Sequence, residues 1–161
     1  MPKLLGHFIH PMLIVFPLGL FVTAIVFDAI HLMTGTPVWA TVAYWMIASG
    51  IVGGLLAAVF GLADWWGLSS GSRAYRLGLW HGVGNVIVVG LFAISWLMRR
   101  GDPEHPSTLA FIVILLGGGL GLVTSWLGGE LVERLGVGVD EGAHPNAPSS
   151  LSTEKIPRAG G

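Results

Sequence analysis

Four long apolar stretches, separated by short polar segments, organise the chain. They run roughly from Phe8 to Met33, Val38 to Ala63, Leu77 to Met98 and Leu109 to Leu127. A hydrocarbon layer about 30 Å thick is crossed by about 20 helical residues, so each stretch is long enough to span it. Their Leu, Val and Ala content and the lack of strict alternation predict helices rather than barrel strands. The expected fold class is all-α, an integral membrane four-helix bundle over residues 1–139.

The connections are short. Gly35 and Pro37 break the first hairpin, Gly67, Ser69, Ser70, Gly71 and Ser72 mark the longest crossing, and Pro103 and Pro106 stop the helices beside them. Lys3 precedes the first stretch as in a signal peptide, but no small-residue cleavage site follows a short apolar core, so the segment is expected to be retained. Beyond Val139 the composition turns to Pro, Ser, Gly and scattered charge, which cannot bury a core. Residues 140–161 are expected to form a disordered cytoplasmic tail.

Composition sharpens this picture. The 161 residues are 53% hydrophobic and 11% charged, whereas soluble domains carry about 25% charged residues. With so few polar side chains, the lipid bilayer is the expected surrounding. A net charge of −1 and no basic stripe exclude nucleic acid as a partner. No cysteine is present, which excludes disulfides, thiolate ligands and cysteine nucleophiles. Lys3, Arg73, Arg76 and Arg134 fall on one side and Arg99 and Arg100 on the other, so both termini are expected to be cytoplasmic. Trp65, Trp66, Trp80 and Trp126 near one face, and Trp39 and Trp96 near the other, read as interface anchors with wet indole N–H groups.

Glycine pairs at small-xxx-small spacing, Gly50 with Gly54, Gly78 with Gly82 and Gly117 with Gly121, predict close helix approach. Histidines open the first and third helices, and acids close the second and fourth. Two copies of one hairpin would give that arrangement.

Alternating spans bring His7, His10, Asp64, His81 and Glu130 to similar depth near one face. His7 and His10 share a helix face, as do His81 and Asn85. Ionisable groups within spans are costly, so their concentration in one layer marks a candidate site. Three imidazoles and two carboxylates suit a divalent metal ion. Alternatively, His10 and His81 could hold the iron of haem b from both sides, or the layer could relay protons. The competing structural reading pairs Asp64 or Glu130 with Arg73, Arg76 or Arg134 and leaves the histidines as ordinary interfacial residues. Asp28 and His31, three apart near the opposite face, read as a solvated pair. Ser49, Ser95 and Ser125 lack an acid–base partner and are expected to bond back to their own helix.

Three motifs carry a resemblance. Gly6-His7-Phe8-Ile9-His10-Pro11-Met12-Leu13 with Phe16-Pro17-Leu18-Gly19-Leu20, then Gly61-Leu62-Ala63-Asp64-Trp65, then Gly128-Gly129-Glu130-Leu131-Val132 with Arg134 and Gly136-Val137-Gly138-Val139, resemble a bacterial family of multi-pass membrane proteins catalogued as domain of unknown function 2231. Phe8 stands where members often carry proline, and Val15 where some carry another histidine. The resemblance implies four helices and a bacterial membrane, and no activity. The expectation is a bacterial inner-membrane protein that binds haem or a metal ion. His10 and His81 would be its principal ligands, with His7, Asp64 and Glu130 as further ligands or orienting partners. The alternative is a non-catalytic accessory or scaffold subunit, joining other membrane subunits or a homo-oligomer through its glycine-rich faces.

Overall fold

A computed structural model of the chain describes residues 2–152. Two short paired strands, β1 (Lys3–Leu4) and β2 (His7–Phe8), precede five helices: α1 (Ile9–Leu13), α2 (Val15–Thr34), α3 (Pro37–Trp66), α4 (Arg73–Met98) and α5 (Thr108–Gly129). A π-helical turn, Glu130–Arg134, continues α5. Four segments are long and apolar enough to cross a membrane: Ile9–Thr34, Pro37–Trp66, Arg73–Met98 and Thr108–Arg134.

Local chemistry sets the boundaries. Pro17 has no N–H to give the carbonyl of Leu13, and the first span breaks between α1 and α2 there. Gly35 ends α2 at φ +66°, its N–H on the His31 carbonyl at 2.8 Å, and Pro37 opens α3 where its missing N–H costs nothing. Ser72 caps α4 by accepting from the Tyr75 N–H at 3.0 Å, and Ser107 caps α5 through the Ala110 N–H at 3.3 Å. These caps begin α4 four residues before its apolar run, which draws Arg73 and Arg76 into its first turn.

The helices pack as two hairpins, α2 with α3 and α4 with α5. Contacts of α3 with α4 and of α2 with α5 close the ring, so α2 and α4 face each other across its centre. Phe21, Ala24, Ala43, Ile47, Val88, Phe92 and Ile114 form the core. Small residues permit the approach: a Cβ at Gly50 would stand 2.5 Å from the Phe21 ring, and one at Gly117 would stand 3.0 Å from the Phe92 ring. Gly54 likewise faces Val89, whereas a Cβ at Gly82 or Gly121 would meet nothing within 4 Å among the described residues.

These contacts carry the repeat suggested by the histidines but not by the acids, since Asp64 corresponds to Leu131 rather than to Glu130. Three pairs meet across α1–α2 and α4 at one constant offset, 71 positions: the rings of His10 and His81, the stacked rings of Phe21 and Phe92, and the ion pair of Asp28 with Arg99. A second constant offset, one helical turn shorter, relates α3 to α5 and matches Ala43 with Ala110, Ile47 with Ile114 and Gly50 with Gly117, all buried. The bundle is therefore two equivalent hairpins around a central line, with three contacts strung along it.

The expected tail begins in contact with the N-terminal arm. The Lys3 ammonium pairs with the Asp140 carboxylate and lies over the Phe8 ring, 4.4 Å from its centroid. Residues 153–161 of that expected tail lie outside the described residues.

Candidate functional site

Each axial histidine is seated by the same local device. The His10 Nδ1 lies 2.9 Å from the Ala57 carbonyl oxygen, and the His81 Nδ1 lies 2.9 Å from that of Thr124. In a helix those carbonyls accept from the N–H one turn later, at Gly61 and Gly128. A Cβ there would cover the carbonyl, standing 2.9 Å from His10 Cε1 at Gly61 and 3.0 Å from His81 Cε1 at Gly128. Glycine leaves each carbonyl open to a second donor. Because the carbonyl can only accept, each imidazole carries its proton on Nδ1 and turns a lone pair outward at Nε2. The two rings stand perpendicular with centroids 6.4 Å apart.

The surroundings of the two rings differ. The Asn85 amide nitrogen donates to the His81 carbonyl at 2.9 Å and to His81 Nε2 at 3.2 Å. Its oxygen accepts from the Thr124 hydroxyl at 3.1 Å. At the equivalent positions beside His10 stand Ile14 and Ala57, which carry no polar side chain. His10 instead has Asp64 as an electrostatic neighbour, and Asp64 Oδ1 is buried without a hydrogen-bond partner among the described residues. The position equivalent to Asp64 in the second hairpin is Leu131, a buried apolar residue.

Of the five residues expected in the polar layer, His10 and His81 meet, with Asp64 acting on His10. His7 is exposed on β2, its Nδ1 3.3 Å from the Leu5 carbonyl. Glu130 accepts from Arg73 at 2.7 Å, the pairing that the structural reading anticipated. Among the described residues no three His, Asp or Glu side chains are grouped as a ready-made metal site. Asn85 had been paired with His81 by spacing. Gly61 and Gly128 stand in the motifs quoted above without a role, and Thr124 in none, although Ala57 with Gly61 and Thr124 with Gly128 have the small-xxx-small spacing.

The opposite end of the axis corrects two expectations. Asp28 is 2% exposed and Arg99 1%, so Asp28 and His31 are not a solvated pair. Arg99 Nη1 donates to Asp28 Oδ1 at 3.0 Å, while Nη2 reaches the Ser95 hydroxyl at 3.0 Å. Ser95 does not bond back to its own helix; it crosses to the Ala110 carbonyl at 2.8 Å. His31 Nδ1 turns to the Thr36 carbonyl at 3.0 Å. Both charged residues lie on inward stripes, Phe21-Ala24-Asp28 on α2 and Phe92-Ser95-Arg99 at the end of α4, and that spacing was the available signal. The tryptophans divide similarly. Trp66, Trp80 and Trp126 are exposed, as interface anchors are, but Trp96 stacks on Tyr44 with its N–H buried and unpartnered, and Trp65 Nε1 donates to the Tyr75 carbonyl at 3.0 Å.

A family model described as a predicted membrane protein, domain of unknown function 2231, matches residues 6–141. No curated protein and no solved structure matches the chain.

Proposed function

The chain belongs to the family of predicted membrane proteins called domain of unknown function 2231, a membership that puts it in a membrane and names no activity; for the activity, we propose that it holds a transition-metal centre between His10 and His81. One observation carries this reading: two imidazoles from equivalent hairpins meet at 6.4 Å, each with its Nδ1 tied to a helix carbonyl. Outer hydrogen bonds of that kind fix the tautomer of metal-binding histidines and raise their basicity. Two imidazoles sharing one ion through metal–nitrogen bonds of about 2.0–2.1 Å have centroids about 5–6.5 Å apart, depending on the angle at the metal. The observed 6.4 Å matches a near-linear arrangement; a tetrahedral ion would draw the rings together by about 1 Å.

The centre is a bare divalent ion of the kind imidazole favours, such as zinc or iron, with Asp64 as charge partner. Grooves of about 300 and 360 Å³ lie elsewhere on the molecule, and neither is lined by His10, His81 or Asp64. A haem b macrocycle between the same histidines would have to part the hairpins, whereas an ion needs only the space between two ring nitrogens. The site faces the cytoplasm of a bacterial inner membrane. With Arg99 turned inward, Arg100 is the remaining cation on the far face, which strengthens that orientation under the positive-inside rule.

Elemental analysis of the detergent-purified protein then finds near-stoichiometric metal, lost in His10→Ala and His81→Ala. An absorption spectrum separates a haem band from a bare ion. Protein that holds neither sinks the proposal.

A second reading, an accessory subunit of a larger membrane complex, draws on Gly82 and Gly121, which have no neighbour within 4 Å. It predicts that Gly121→Leu abolishes co-purification of partners and the histidine variants do not. Gly54 is unsuited to that test, because it faces Val89 within the chain.

A further inference from the structure

The hydrogen bonds around His81 form a connected set, in which the one Thr124 hydroxyl proton is shared between Asn85 Oδ1 at 3.1 Å and the Gly121 carbonyl at 3.0 Å. Asn85 has two amide hydrogens and one amide oxygen: the hydrogens go to the His81 carbonyl and to His81 Nε2, and the oxygen accepts from Thr124. The bond to a carbonyl settles which end of the amide is nitrogen, since a carbonyl can only accept. The Thr124 carbonyl settles the other side of the ring in the same way, by taking the Nδ1 proton. His81 therefore presents a lone pair at Nε2 that Asn85 already occupies. His10 has no such occupant: Ile14 stands where Asn85 would, and His10 Nε2 makes no hydrogen bond among the described residues. Two halves that seat their histidines identically thus differ at the nitrogen that a metal would take.

We infer that Asn85 is a latch on the His81 ligand position, holding Nε2 with an amide N–H that a divalent transition-metal ion must displace. This rests on the metal-site reading above. His10, with Asp64 as its electrostatic neighbour, would hold the ion at its open Nε2, and His81 would add its own Nε2 once the Asn85 amide has swung away. When the amide swings it gives up its bond to Thr124 as well, and the Thr124 hydroxyl keeps the Gly121 carbonyl, 3.0 Å away, as its acceptor. Asn85 sets the affinity of the site without touching the ion.

Cobalt(II) titration of the purified full-length protein, followed by its visible ligand-field bands, tests the latch. Asn85→Leu removes the competing donor and leaves both Nδ1 anchors, so cobalt binds about two- to tenfold tighter than to wild type, the range of one neutral hydrogen bond. Thr124→Val loosens the amide while keeping the Thr124 backbone carbonyl, and shifts affinity the same way by less; it serves also if Asn85→Leu does not fold. Equal or weaker binding by either folded variant overturns the latch. Nitrogen-15 spectra of the imidazoles give a readout independent of metal. Wild-type His81 shows a proton on Nδ1 and a hydrogen-bonded, unprotonated Nε2, and the Nε2 signal moves in Asn85→Leu. A proton found on Nε2 of wild-type His81 overturns the latch. If wild type takes up no cobalt, the metal-site reading falls, and with it the latch as a control on metal.

Discussion

The two ends of the central line use the same pair of equivalent positions in opposite ways. At one end the hairpins contribute identical side chains, His10 and His81; at the other they contribute complementary ones, Asp28 and Arg99. Opposite charges pair there, both side chains closed to solvent, although Asp28 Oδ2 and Arg99 Nε have no hydrogen-bond partner among the described residues. Two imidazoles with the same tautomer cannot pair: both offer a lone pair, and neither has a proton for the other. Asn85 answers one of them and leaves the other open. A like pair at a symmetric position calls for a third party, and an unlike pair does not. The far end therefore works as a structural clasp, and the histidine end is the one left with an unsatisfied nitrogen, the position proposed above for a metal ion.

The largest test of that contrast removes one member of the clasp. Arg99→Met leaves the Asp28 carboxylate buried without its partner, and thermal unfolding in detergent should record a loss of about 3–5 kcal/mol. Exchanging the charges, Asp28→Arg together with Arg99→Asp, should recover much of that loss. If the exchange is no better than the single variants, the clasp does not depend on charge pairing.

The glycine seats come next. Gly61→Val or Gly128→Val forces the imidazole off its carbonyl. The overpacking should cost about 1–3 kcal/mol in the same measurement, and elemental analysis should show metal lost with it. Smaller still, His10→Ala and His81→Ala each remove one interhelical hydrogen bond, of about 0.6 kcal/mol on average in membrane proteins. They should therefore unfold close to wild type while losing metal. If either destabilises as much as Arg99→Met, the histidine end is also structural and the contrast fails. Gly121→Leu, at a position without a close neighbour, should change stability by less than about 0.5 kcal/mol.

The fold was legible because spanning helices are written in composition. Four apolar runs with glycine, proline and serine between them leave few alternatives once water is excluded as solvent. The meeting of His10 with His81 was also legible, since alternating spans put both at one depth. Its support was not. Gly61 and Gly128 act by lacking a Cβ next to a particular carbonyl, and only the partner helix reveals which of many glycines does so. Arg99 was misread because it adjoins Arg100 at a span end, where cations normally mark orientation. Its place one turn after Ser95, on the stripe of Phe92, was the better guide. His7 and Glu130 matched the layer in depth but not in direction, and depth is all that a hydropathy pattern supplies.

Between the two ends sit Phe21 and Phe92, stacked 3.9 Å apart and shut in by Ile47 and Ile114. Water cannot thread a waist so plugged, and neither can a hydrated ion. A ligand at the proposed histidine site would therefore enter and leave from the same face of the bundle, with the aromatic waist as its floor.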